Sequence, residues 1–164
     1  MASTRGTLAA FLLLTFCTFN SVHAQQLVQH SDDEFGPVVR AYLGYLKNEQ
    51  EVVDDRVSRR EVNAIYYRHN SNRIKALRQM AVKLARETHN DYLPELEAVS
   101  VNEMNLLFGS EPPQLAALKV GEVLRNTFRF LGVVRYGETF YLFARLDPYE
   151  QADLNEKASA VRQP

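Results

Sequence analysis

The chain has 164 residues, 46% of them apolar, and a net charge of only −1. That length suits one domain with a sizeable core, and the composition is ordinary for a globular protein. The one cysteine, Cys17, excludes a disulfide framework and a cysteine-based metal site.

The chain opens with Arg5, an apolar run over residues 8–19, and a polar stretch ending in Val22-His23-Ala24. This is the charged, apolar and small-residue order of a secretory signal peptide, with cleavage expected after Ala24. The run is too short to span a bilayer, which takes about 20 apolar residues. Phe16, just before Cys17, is too bulky for a lipoprotein cleavage site. Residues 1–24 therefore read as a signal and 25–34 as a polar leader. The absence of later cysteines and of any Asn-x-Ser/Thr sequon favours a bacterial envelope, periplasmic rather than eukaryotic secreted.

From Phe35 the apolar residues Phe35, Val38, Val39, Tyr42, Leu46 and Val53 fall at helical spacing, which predicts a first helix over 36–54. Ser58-Arg59-Arg60-Glu61 has the pattern of a capping box, so a second helix is expected from 59 to about 88. Its inner stripe is Val62, Ile65, Tyr66, Leu77, Met80, Ala81 and Leu84. The centre of that stripe is polar: His69, Asn70 and Arg73. One 3.6-residue phase fits both halves, which favours a continuous helix across Asn70-Ser71-Asn72.

Pro94 interrupts the next segment. In it Glu95 and Glu97 flank Leu96, and in an extended chain the two glutamates would alternate faces with Leu96. Ser100-Val101-Asn102-Glu103 is a second capping box, predicting a short helix over 101–108 that ends at Gly109. Residues 114–124 carry no decisive pattern. Residues 128–134 and 139–146 are rich in aromatic and β-branched side chains and flank Arg135-Tyr136-Gly137-Glu138, which predicts a β-hairpin. A lone hairpin is marginal in water, so it must pack on the helices or join another strand. Residues 149–164 read as a polar tail, loose or a frayed helix. The expected fold is thus α+β in one domain, 35–148: an antiparallel helical pair with a long, basic second helix, a short helix, and a C-terminal antiparallel hairpin.

Charge is segregated along this frame. Residues 32–55 carry a net −5 and residues 56–86 a net +8. On a continuous second helix Arg68, Lys75 and Arg86 share one outward stripe, with Arg60 and Arg78 on its flank. Such a face suits an anionic partner: lipid headgroups, an acidic polymer or an acidic protein surface. The same charges can instead be solvated, or paired with the acidic first helix. The export signal argues against nucleic acid as that partner, despite Tyr66 and Tyr67 beside the stripe.

His69, Asn70 and Arg73 form a second candidate site, either a polar pocket with His69 as acid or base, or a hydrogen-bonded structural cluster. His89-Asn90-Asp91 has a possible metal spacing without a third ligand, and a helix end followed by a turn explains it equally well. No nucleophile elbow, HExxH, Walker loop or dinucleotide fingerprint occurs, so no cofactor or metal is expected. Three functions are compatible with these residues. The first is an exported binding or interaction module using the basic face. The others are a small hydrolase-like envelope enzyme built around His69 and Arg73, and a structural envelope protein that self-associates.

Overall fold

The computed structural model describes the backbone of residues 32–161 and the side chains of residues 32–157. The predicted signal segment and leader residues 25–31 lie outside the described residues. After a 3-10 turn at Asp32–Glu34 come helices α1 (Pro37–Ser58) and α2 (Ala64–Thr88), then strand β1 (Glu95–Val99). A 3-10 turn at Val101–Glu103 leads into the short helix α3 (Met104–Phe108). A 3-10 turn at Leu115–Ala117 and strands β2 (Val123–Leu124), β3 (Phe128–Tyr136) and β4 (Glu138–Arg145) follow, then α4 (Pro148–Val161). The strands make one antiparallel sheet in the order β1-β4-β3-β2. The α+β expectation holds, and the hairpin has become the centre of a four-stranded sheet.

The two long helices run antiparallel, because Arg56 reaches Tyr66 and Gln50 reaches Ser71 across the pair. α2 is continuous through Asn70-Ser71-Asn72. Val39, Leu43, Leu46 and Val53 are the buried side of α1, while Val38 stays half exposed.

The second helix begins later than its sequence suggests. Ser58 is the last residue of α1, and its hydroxyl donates to the Asp55 carbonyl instead of capping α2. The hydrogen bonds of α1 run on: Glu61 N donates to Arg56 O and Arg60 N to Val57 O. This is a Schellman-type ending with Arg60 in the left-handed region at φ +60°. Asn63 caps α2 by accepting from Tyr66 N at 2.8 Å. Arg60 therefore lies in the connecting loop and not on the flank of a helix. Ile65 and Tyr66, expected in the inner stripe, are exposed on the first turn of α2.

The sheet is covered on both sides. α1 and α2 bury Val39, Leu43, Ala76, Met80, Val134, Phe140 and Leu142 on one face. α3 and its neighbouring loops bury Met104, Phe108, Phe128, Phe130 and Phe143 on the other. Two covered faces explain the unbroken apolar run Phe140–Ala144 in β4, where single-sided burial would give alternation. In β3, Phe130 and Val134 face opposite sides although both are even-numbered. A bulge between the Phe130↔Phe143 and Gly132↔Leu142 pairs inserts one residue and switches the phase. Burial of this kind stabilises by about 25 cal/mol per Å² of apolar surface.

Residues 95–99 add a third strand to the predicted hairpin. β1 pairs along its whole length with β4, from Glu95↔Arg145 to Val99↔Tyr141. Pro148 opens α4, which is tied to the sheet by Arg129–Glu150 at 3.0 Å and to the preceding turn by Asn126–Asn155 at 2.9 Å. No helix among the described residues is long and apolar enough to cross a membrane.

Candidate functional site: a polar clasp on α2

The polar interruption in α2 meets the tip of the β3–β4 hairpin. The helix buries Ala76, Met80 and Ala81 against the sheet, but one to two turns earlier the apolar core ends. There the His69 ring lies 5.6 Å from the ring of Phe140. His69 Nδ1 is 2.7 Å from Glu138 Oε2, just past the hairpin turn. His69 Nε2 is 3.0 Å from Glu103 Oε1, in the turn that follows β1. One imidazole thus joins three segments that are far apart in the chain.

Arg73, one helical turn after His69, places Nη2 2.6 Å from His69 Nε2 and also donates to Glu103 Oε1. Asn72 donates to Glu138 Oε1 at 3.4 Å. His69 Nδ1 thus faces one carboxylate, and Nε2 faces both Arg73 and Glu103.

Glu103 is positioned by the second capping box: the Ser100 amide and hydroxyl donate to its Oε2 at 3.0 and 2.9 Å. Burial alone would raise its pKa. The hydrogen bonds from the Ser100 amide, His69, the Ser100 hydroxyl and Arg73 outweigh that and hold it down at about 2. The carboxylate is therefore a permanent anion at neutral pH. The turn itself is built for close approach. Gly137 has φ +67°, and a Cβ there would lie 2.6 Å from the side-chain nitrogen of Asn72.

Beside the clasp is an open cleft of about 610 Å³, lined by Ile65, Arg68, His69, Asn102, Glu103 and Glu138 among others. A carboxylate-oriented histidine at a cleft is an arrangement that can move protons. The Ser100 hydroxyl, however, is committed to Glu103 and does not point a nucleophile at His69. Nor do the acids converge on a metal position. Glu103 and Glu138 face different ring nitrogens, and among the described residues no group of three His, Cys, Asp or Glu could hold a metal ion.

The predicted cluster is thus divided. His69 and Arg73 come together, while Asn70 turns away and donates to the Tyr66 carbonyl at 2.9 Å. Asn72, Glu103 and Glu138 complete the cluster in its place. Only Glu103 carried a local sequence signal, as a capping-box residue.

The predicted basic positions also separate. Arg68, Lys75 and Arg86 are exposed on α2. Lys75 Nζ sits 5.2 Å above the Tyr136 ring. Arg86 pairs with Glu34 at 2.7 Å, and Arg78 with Asp32 at 2.5 Å. The acids that meet these two arginines come from the turn before α1 and not from α1 itself. Arg68 has no ion pair among the described residues and stands at the rim of the cleft.

The His89-Asn90-Asp91 turn has a structural task. Asp91 accepts from the amides of Val38 and Val39 at 2.9 Å each, capping α1. His89 ends α2 in the left-handed region at φ +53°.

No protein-family model, no curated protein and no solved structure matches this chain.

Proposed function

We propose that the chain is an exported, non-enzymatic binding module that meets an anionic partner of the bacterial envelope across the outward face of α2. One observation carries the reading: Arg68, Lys75 and Arg86 are all exposed on α2, separated by close to two and three helical turns. Arg86 is already shared with Glu34, so Arg68 and Lys75 are the residues that lead. Export is supported by Arg5, the apolar run over 8–19 and Val22-His23-Ala24. In this reading the clasp is the brace that holds the α2 end of the face on the sheet.

The test is binding of the purified chain to vesicles containing anionic lipid and, separately, to a soluble acidic polymer. Binding is expected at low salt and is expected to weaken steeply towards about 0.15 M, because exposed charges are screened over a Debye length of about 8 Å there. Arg68→Ala/Lys75→Ala should lose it and keep the fold, since neither residue anchors another element by an ion pair. Absence of binding to both probes at low salt would end this reading, as would full binding by the double variant.

A second reading, a small hydrolase-like enzyme, draws support from the Glu138–His69 pair beside the open cleft. It requires the clasp to open, because Ser100 and Glu103 are occupied within it. Hydrolysis of a simple ester that disappears with His69→Ala would favour it over the binding module.

A further inference from the structure

β1 is one edge of the sheet, and no described residue pairs with its outer side. An unpaired strand edge is a row of backbone donors and acceptors ready for another strand. Between this edge and α1 runs a groove of about 520 Å³, lined by Val38, Tyr42, Tyr45, Leu77, Leu93 and Leu96. Val38 and Tyr45 are 50% and 53% exposed although apolar, and the rings of Tyr42 and Tyr45 lie 6.2 Å apart along the groove wall. Burial, with Tyr45 and Glu97 adding to it, pushes the Tyr42 hydroxyl up to about 12, so it remains an O–H donor.

The edge is also acidic. Along β1, Leu96 and Ala98 alternate with Glu95 and Glu97. Both carboxylates share a single guanidinium, that of Arg145, at 3.1 and 3.2 Å. One negative charge is left uncompensated in that group of three.

We propose that the β1 edge takes an extended segment of a partner protein, with alternating apolar and basic side chains, as a fifth strand. The backbone ladder supplies affinity, the groove takes the apolar side chains and the Glu95–Glu97 pair selects lysine or arginine. A second copy of this chain fits less well. Antiparallel self-pairing of β1 about its midpoint sets Glu97 opposite the second copy's Glu97, and like charges directly opposite are destabilising. This surface shares no residue with the basic face of α2, so the two readings stand or fall separately.

The probe is a short random-peptide display library panned against the purified chain. Enriched peptides should alternate apolar residues with lysine or arginine. Their binding should move the amide resonances of β1 and of residues 38–45. Glu95→Gln/Glu97→Gln keeps hydrogen-bonding groups for Arg145 and should weaken the enriched peptides about tenfold, while Tyr45→Ala, at an exposed site, should weaken them similarly. Circular dichroism would establish that both variants fold. A library without enrichment above background would mean that the acids only guard the edge, and would overturn the proposal. Peptides that map elsewhere would do the same, as would unchanged binding by the Gln variant or peptide-free dimerisation through β1.

Discussion

Asp91 caps helix α1 across 53 residues of chain, accepting from the Val38 and Val39 amides with its two carboxylate oxygens. Helix α1 needs this because its own N-cap is Gly36, which has no side chain to offer. The glycine is there for the same reason: a Cβ at Gly36 would lie 2.3 Å from Asp91 Cγ. The pair locks the start of α1 to the turn after α2 and closes the helical hairpin at its open end.

Asp91→Ala should therefore cost about 1–2 kcal/mol, the range for loss of a charged helix cap. Asp91→Asn keeps an acceptor and should cost less. Gly36→Ala should also destabilise, and Gly36→Ala/Asp91→Ala should cost less than the two single changes added together. Urea denaturation of the four proteins measures this, and strict additivity would show that the two residues do not interact.

Arg60 holds the left-handed position of the Schellman ending of α1, at φ +60°. A side chain there costs about 1–2 kcal/mol relative to glycine, of which glycine returns part through its freer unfolded state. Its guanidinium makes no ion pair among the described residues, so little is lost with it. Arg60→Gly should raise stability by about 0.5–1 kcal/mol and the Tm by a few degrees, measured by thermal unfolding. A lower Tm would mean that Arg60 does something in the loop that its geometry does not show.

At the hairpin turn the close approach is between Gly137 and Asn72. Gly137→Ala meets both a positive φ and a Cβ contact at 2.6 Å, and should cost about 2 kcal/mol or more. In an Asn72→Ala background the steric part is relieved, so the same change should cost less there. A thermodynamic cycle separates backbone strain from contact. An equal cost in both backgrounds would place the whole effect in the backbone.

These contacts also mark where the chain can be read locally and where it cannot. α1, α2 and the hairpin are visible because their apolar spacing and the turn glycine are local signals. β1 was not, since two of its five residues are glutamates and its strand character comes from pairing with β4. The Ser58 box misled because a Ser-x-x-Glu pattern is equally available to a helix that has not yet ended. In the clasp, His69 and Arg73 stood out as polar residues in an apolar stripe. Glu103 and Glu138 reach His69 from 34 and 69 residues away, and nothing near them in the sequence announces that contact. The same holds for Asp91, whose local pattern suggests a turn and whose partners lie at the far end of another helix.

Glu103 gives the clasp a pH signature. Its carboxyl is held down at about 2 against an ordinary value of 4.5, so the folded state favours the charged form. Above about 4.5 that contribution is fully present. As pH falls from 4.5 towards 2, the unfolded chain takes up a proton that the folded one resists, and stability drops. Partial exposure of the carboxylate screens it, which puts the contribution at about 1–2 kcal/mol, less than the full shift would give. Glu103→Gln should be less stable than the parent by that amount at pH 7, and the two stability curves should converge near pH 2. A gap that stays constant over this range would mean that Glu103 acts through shape and hydrogen bonding alone. Convergence would show that a charged carboxylate holds His69 and Arg73, and with them the hairpin tip, against α2.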